Sequence, residues 1–227
     1  MTVVVVASLK GGVGKSTLSA LLGILGGLPV VDYDPAAGVT ELLAPLCEAE
    51  PGLMVRLEFC SSRAGPELVP ATPDAYDIEH VVDIVATANS LRRLGDVVVD
   101  TGPAWNRFTI AALKAADVVL VPVSNSVLAE RGAGALVRRM RRYGFNADVV
   151  LVPSLYTARN IAVLVGRVKR VASLLRVRHV EVGLRSTHLL RDATGEHLAH
   201  RVRNWNTHPL PELRDDVGRL LREVGLK

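Results

Sequence analysis

Four consecutive valines, Val3 to Val6, lead within three residues into the octapeptide KGGVGKST at positions 10–17. A short apolar run that ends in a glycine-rich turn and then enters a helix near Ser16 leaves few folds open. It predicts a buried strand whose C-terminal end opens into an anion-binding nest at a helix N-terminus. In that nest the backbone N–H groups of Gly12, Val13, Gly14, Lys15, Ser16 and Thr17 would point at a phosphate chain, with Lys10 and Gly11 completing the nucleotide-binding loop. Lys15 would reach the β- and γ-phosphates, and the Ser16 hydroxyl would ligate Mg2+. The standard spacing, G-x-x-x-x-G-K-[ST], asks for glycine at position 9, where this chain has Leu9. An additional lysine, Lys10, stands at the front edge of the loop instead.

The rest of the chain carries the pattern that such a loop needs. Short runs rich in Val, Ile and Leu, without polar alternation, occur at 3–8, 29–33, 96–100, 118–123 and 149–153, with a further β-rich run at 177–182. Continuous apolar runs of this length read as parallel strands buried on both faces. Helix-length segments lie between them, among them 110–116, 133–143 (stopped by Gly144) and 212–224. The β-α-β-α order predicts an α/β, doubly wound, mostly parallel sheet with helices on both faces, and a single domain over 1–227. The last segment spaces Leu213, Val217, Leu220, Leu221 and Val224 as a helix packed on the core. The stretch 45–75, with five prolines, reads as irregular connections.

Two acidic motifs sit at predicted strand ends. VVDYDP at 30–35 ends in Asp32 and Asp34, spaced to face the same way, with Pro35 stopping the strand. DVVVDTGP at 96–103 brings a strand to Asp100 and then a Thr-Gly-Pro turn. Either motif alone suits an ordinary strand-to-loop junction. Together with the loop at 10–17 they suit a phosphoryl-transfer site.

The loop with its leading lysine resembles the deviant Walker A loop, K-G-G-x-G-K-[ST], of the ParA/MinD superfamily of P-loop ATPases. The resemblance is strongest at 3–17, 30–35 and 96–137, and extends through 151–159 and 183–198. It implies ATP and Mg2+ as cofactors and a Mg-dependent ATPase with slow basal turnover. It also implies a homodimer formed on ATP binding, in which Lys10 crosses the interface to the partner's ATP. By the same resemblance Lys10, Lys15 and Asp34 are catalytic, Asp34 orienting the attacking water. Asp100 holds Mg2+ with Ser16, and Ser154 contacts adenine. The chain departs from the family pattern at Ala36, where Gln is usual, and in a shortened stretch between Lys15 and Asp34.

Charge points the resemblance toward DNA partition. From Arg159 onward there are fourteen Lys and Arg against seven Asp and Glu, in a chain of net charge +4. A basic C-terminal third suits a polyanion, although 22 arginines against five lysines would also decorate any solvated helix. Arg167, Lys169, Arg170, Arg185 and Arg191 are the candidates for DNA phosphates, and Arg138, Arg139, Arg141 and Arg142 form a second cluster. Because strand 3–8 opens the chain, it resembles the short ParA form. That form binds double-stranded DNA without sequence preference and partitions plasmids or chromosomes with a ParB-like centromere-binding adaptor that stimulates hydrolysis. The alternative is a MinD-like membrane-associated positioning ATPase. The segment 212–224 lacks the aromatic anchor a lipid-binding helix would use. Two cysteines, Cys47 and Cys60, predict no disulfide framework. A reduced cytoplasmic compartment fits, the resemblance to the ParA form implies nucleoid association there, and the six histidines show no metal-ligand spacing.

Overall fold

The computed structural model describes residues 1–190 and 193–226, with every side chain except that of Tyr76. In chain order the elements are Val3–Val6 (β1), Lys15–Gly26 (α1), Val30–Tyr33 (β2), Gly38–Leu43 (α2), Pro51–Arg56 (α3) and Leu68–Val69 (β3). Then come Ala75–Ile78 (α4), Ile84–Arg93 (α5), Val97–Thr101 (β4), Arg107–Ala115 (α6), Val118–Val123 (β5) and Val127–Arg142 (α7). The last are Asp148–Tyr156 (β6), Ile161–Leu175 (α8), Arg178–His179 (β7), Leu184–Arg185 (β8), Gly195–Asn204 (α9) and Leu210–Glu223 (α10). The sheet order is β3-β2-β4-β1-β5-β6-β7, with β8 also pairing β6, and every named strand pair is parallel.

The valine run explains the layering. Successive side chains of β1 leave on opposite faces. Val3 and Val5 enter a core shared with Phe108 and Ala112 of α6, Leu136 of α7 and Val168 of α8. Val4 and Val6 enter the other core, with Leu18 and Leu22 of α1, Leu43 of α2 and the buried faces of α9 and α10. Both faces of the central strand are dry, so alternation would have been fatal there and none is present. Leu210, Leu213, Val217 and Leu220 of α10 are fully buried against this second core. The amphipathic face at 212–224 is therefore used on the protein itself. Among the described residues no helix is long and apolar enough to cross a membrane.

Two expectations need correction. Cys47 and Cys60 are paired in a disulfide, with Cα atoms 6.1 Å apart. They meet because the chain leaving α2 folds back on the chain entering β3, through bridges Pro45↔Ser62 and Cys60↔Leu68, a long-range pairing that two isolated cysteines do not announce. The run 177–182 forms only the two-residue β7. Val180 and Val182 stay buried as irregular chain on the way to β8.

Candidate active site

β1, β2 and β4 lie side by side in register, Val6 opposite Asp100 and Asp32 opposite Asp100 from the other side. Their C-terminal ends therefore bring the loop at 10–17, the acids of 32–34 and Asp100 to one edge of the sheet, where α/β folds bind ligands. Gly12 and Gly14 are in the left-handed region at φ 70° and 87°. Nothing lies within 4 Å of where a side chain at Gly11 or Gly12 would begin. Gly14 caps α1 with no side chain in the way, leaving first-turn N–H groups for an anion. Lys15 is only 6% exposed at the head of that helix. The Lys10 backbone N–H donates to Ser8 Oγ at 3.2 Å. The Lys10 stem lies against Gly132 of α7, where a Cβ would come within 3.2 Å of it.

Asp32 and Asp100 are adjacent, fully buried and differently used. Asp32 accepts from the Asp34 N–H at 2.9 Å, the Thr40 N–H at 3.0 Å and the Thr40 hydroxyl at 2.7 Å. Burial first, and then the neighbouring Asp100 charge, push its carboxyl well above the usual carboxylate range, against the pull of these donors. Asp32 thus shapes the turn that presents Asp34, whose Oδ1 accepts from the Ala36 N–H at 3.1 Å. Asp100 Oδ1 accepts from Ser19 Oγ at 2.8 Å, while Oδ2 is buried with no hydrogen-bond partner. Burial raises the Asp100 carboxyl to about 6, opposed by the Ser19 and Ser16 hydroxyls and the Lys15 charge and aided by Asp34.

The residues fit a magnesium ion. An orphaned buried carboxylate oxygen beside the Ser16 hydroxyl, in a cluster of three acids facing one buried lysine, is a site short of positive charge. Mg2+ keeps several waters and leans on one carboxylate plus substrate phosphates, a demand that one open carboxylate oxygen and one hydroxyl can meet.

Glycines set the approach distances. A Cβ at Gly38, the first residue of α2, would lie 2.7 Å from Ser16 Oγ, and one at Gly102 would lie 2.9 Å from Asp34 Oδ1. A side chain at either position would push the Ser16 hydroxyl or the Asp34 carboxylate from its place. Sequence reasoning passes over these two, and over Ser19 and Thr40, because each matters only through a partner far away in the chain.

Ser154 is not at an open strand end. Strand β6 continues to Tyr156, past the predicted end at 153, so Ser154 is inside the sheet and fully buried. Its hydroxyl donates to the Val13 carbonyl at 2.6 Å and props the phosphate loop from beneath. The next residue, Leu155, is held at φ 58°, where β6 pairs irregularly with β8. It lines a cavity of about 260 Å3 beside Thr17, with Leu21, Leu42 and Leu184.

The basic candidates divide. Lys169 and Arg170 are exposed on α8. Arg167 is drawn into an ion pair with Glu130 at 2.6 Å and also bonds Asn125. Arg185 pairs with the buried Asp216 at 2.6 Å, and its guanidinium stands 5.5 Å from the Tyr156 ring centre. Tyr156 donates to the same Asp216 oxygen at 2.6 Å. Both of these arginines already have carboxylate partners within the chain. Arg191 lies outside the described residues. In the second cluster Arg138 and Arg142 are exposed, Arg139 lies over the Trp105 ring and Arg141 bonds the C-terminal carbonyls of α8.

The chain is 32% identical over 171 residues to the chromosome-partitioning ATPase Soj of Thermus thermophilus, a match covering 68% of each protein. It belongs to the ParA/MinD superfamily of ATPases. The chromosome partitioning protein ParA of Caulobacter vibrioides is 27% identical over 170 residues, and there the chain spans 63% of the relative's length, less than two thirds. Among solved structures, McdA of Cyanothece in its ATP complex superposes with a TM-score of 0.71, at 19% identity, over 100% of this chain and 97% of that one. MinD of Aquifex aeolicus superposes with a TM-score of 0.68, at 19% identity, over 98% of each. These structural likenesses establish the superfamily's doubly wound fold. No protein-family model matches the chain.

Proposed function

We propose that this ParA/MinD-superfamily member is a Mg-dependent ATPase of the partition type. Two copies clasp two ATP molecules, bind duplex DNA without sequence preference while clasped, and part after hydrolysis, which an adaptor protein stimulates. The whole chain, 1–227, acts as one ATPase unit. The observation that carries the reading is the meeting of Lys15, Ser16, Asp34 and the half-satisfied Asp100 at the ends of three adjacent parallel strands.

In this reading the loop N–H groups and Lys15 hold the β- and γ-phosphates. Ser16 and Asp100 Oδ2 hold the magnesium ion. Magnesium, when bound, neutralises charge building on the phosphates. Asp34, carried on a turn that Asp32 and Thr40 fix, orients the attacking water. The purine lies in the aliphatic cavity beside Thr17 and Leu155 rather than on Ser154. Lys10 acts across the dimer, so ATP binding and assembly are one event. For DNA, the exposed Lys169 and Arg170 of α8 and Arg138 and Arg142 of α7 supply the phosphate contacts.

Lys10→Ala tests the assembly. Light scattering with a non-hydrolysable triphosphate and Mg2+ should find dimers for the unmodified chain and monomers for the variant, with turnover lost. A variant that still dimerises and hydrolyses normally defeats the trans-lysine. Binding to arbitrary duplex DNA should require ATP and weaken steeply with salt. Binding that ignores ATP, or that is confined to one sequence, defeats the partition reading.

A further inference from the structure

Serine is a poor choice for the interior of a buried helix. Its hydroxyl competes with the backbone for hydrogen bonds and must find a partner in an apolar setting. Ser19 nevertheless sits fully buried in α1, between Leu18 and Ala20 and one turn beyond Lys15 and Ser16. Positions 15, 16 and 19 share one helix face, so the residues that meet phosphate and metal and this serine all look the same way. The Ser19 hydroxyl turns from its own helix and donates to Asp100 Oδ1 at 2.8 Å, across 81 residues of sequence.

We propose that Ser19 is a positioning residue of the metal site: it holds one oxygen of Asp100, so that the other, Oδ2, is left as the ligand oxygen for the cation that enters with the nucleotide. The proposal rests on the reading of Asp100 as a magnesium ligand. A carboxylate attached through a broad, roughly two-fold torsion does not keep one oxygen forward by itself. A buried donor on the rear oxygen does this. Oδ2, equally buried, has no partner of its own among the described residues. Without the Ser19 donor the carboxylate is free to swing toward Lys15, whose charge already acts on it. That would cost the site its metal ligand and draw Lys15 from the phosphates. Partners of metal ligands act in this way generally, and losing one weakens metal binding about 10–100-fold.

The test titrates Mg2+ into the full-length chain holding a fluorescent, non-hydrolysable ATP analogue. It compares Ser19→Ala and Asp100→Ala with the unmodified protein. Alanine is the strongest helix former, so Ser19→Ala keeps α1 intact. Ser19→Ala should raise the Mg2+ midpoint by about 10-fold, and Asp100→Ala by at least as much, while analogue affinity in EDTA stays within about two-fold for Ser19→Ala. If Ser19→Ala leaves the midpoint in place while Asp100→Ala moves it, Ser19 positions nothing and the metal reading survives. If Ser19→Ala lowers the EDTA affinity by the same factor as the midpoint, its role is structural and the proposal fails. If Asp100→Ala leaves the midpoint unmoved, the metal assignment falls and this inference with it.

Discussion

Alanine at each glycine of the phosphate loop should give three different stabilities, and the structure orders them. Gly11 is outside the left-handed region and has no atom within 4 Å of a new Cβ. Gly11→Ala should leave the nucleotide-free fold unchanged or firmer by roughly 0.4–1 kcal/mol through a less flexible unfolded chain. Gly12 has the same open space but a φ of 70°. Its alanine must hold a left-handed backbone at about 1–2 kcal/mol, partly offset by the unfolded-state gain. Gly14 combines φ 87° with a Cβ position 2.5 Å from Leu184 Cδ2 and 3.1 Å from Ser154 Oγ. Leu184 is only 1% exposed and Ser154 is pinned to Val13, so neither can give way freely. Overpacking adds about 1–3 kcal/mol to the backbone strain, for a total near 2–4 kcal/mol.

At roughly 2–4 °C per kcal/mol for a domain of this size, Gly14→Ala should melt about 6–12 °C low and Gly12→Ala about 2–4 °C low, with Gly11→Ala unmoved. The assay is thermal unfolding without nucleotide, followed by circular dichroism so that no dye competes for the site. The reasoning is refuted if Gly11→Ala falls as far as Gly14→Ala, or if Gly14→Ala melts with the unmodified chain.

Three further outcomes follow from the site. Asp34→Ala should cut phosphate release by about 100-fold or more while a fluorescent ATP analogue binds within a few-fold; residual turnover above a tenth would remove Asp34 from water positioning. Because the folded Asp100 carboxyl titrates near 6 instead of 3.8, its contribution to stability is complete at acid pH and lost as pH rises through 6. Asp100→Asn should therefore raise the melting temperature of the nucleotide-free protein at pH 7.5 by the equivalent of at most about 3 kcal/mol, with the gain vanishing near pH 4; a gain independent of pH would contradict the burial argument. Arg185→Met leaves Asp216, whose side chain is 9% exposed, with Tyr156 alone, and should lower the urea midpoint by the equivalent of roughly 2–4 kcal/mol. Adding Asp216→Asn should recover part of that loss, and strict additivity would mean the pair is not coupled.

The elements legible in the sequence are those whose environment is uniform. β1, β2, β4 and β5 are buried on both faces, so their apolar runs mark them within a residue or two. Helix α7 starts at Val127, six residues ahead of its legible part, because its beginning is set by Ser126 capping the Leu128 N–H and not by apolar spacing. β3 is two residues long at the end of the sheet, inside a proline-rich stretch, and is held by β2 on one side and the Cys60 bridge on the other, partners far away in the chain or irregular. The motif residues of the site were equally legible, since each carries its chemistry in its side chain. The strand that carries Ser154 ends three residues beyond its predicted end. Arg167 and Arg185 look like free cations until Glu130 and Asp216 arrive from other elements.

Asp32 and Asp100 show where such reading stops. Both end apolar strands, both are fully buried, and the ladder sets them side by side. What separates their roles is the supply of donors. Three donors occupy both oxygens of Asp32, and the Thr40 hydroxyl among them also accepts from the Ala71 N–H at 2.8 Å, tying the chain after β3 to the same turn. A carboxylate bonded at both oxygens to its own turn serves as a structural post. Asp100 receives one close hydrogen bond, from Ser19, with the Ser16 hydroxyl also near, and its Oδ2 has no partner within hydrogen-bond distance. The imbalance between the two acids favours Asp100 over Asp32 in the proposed metal site, and Asp32→Asn is expected to disturb the turn at 34–40 before it disturbs metal affinity.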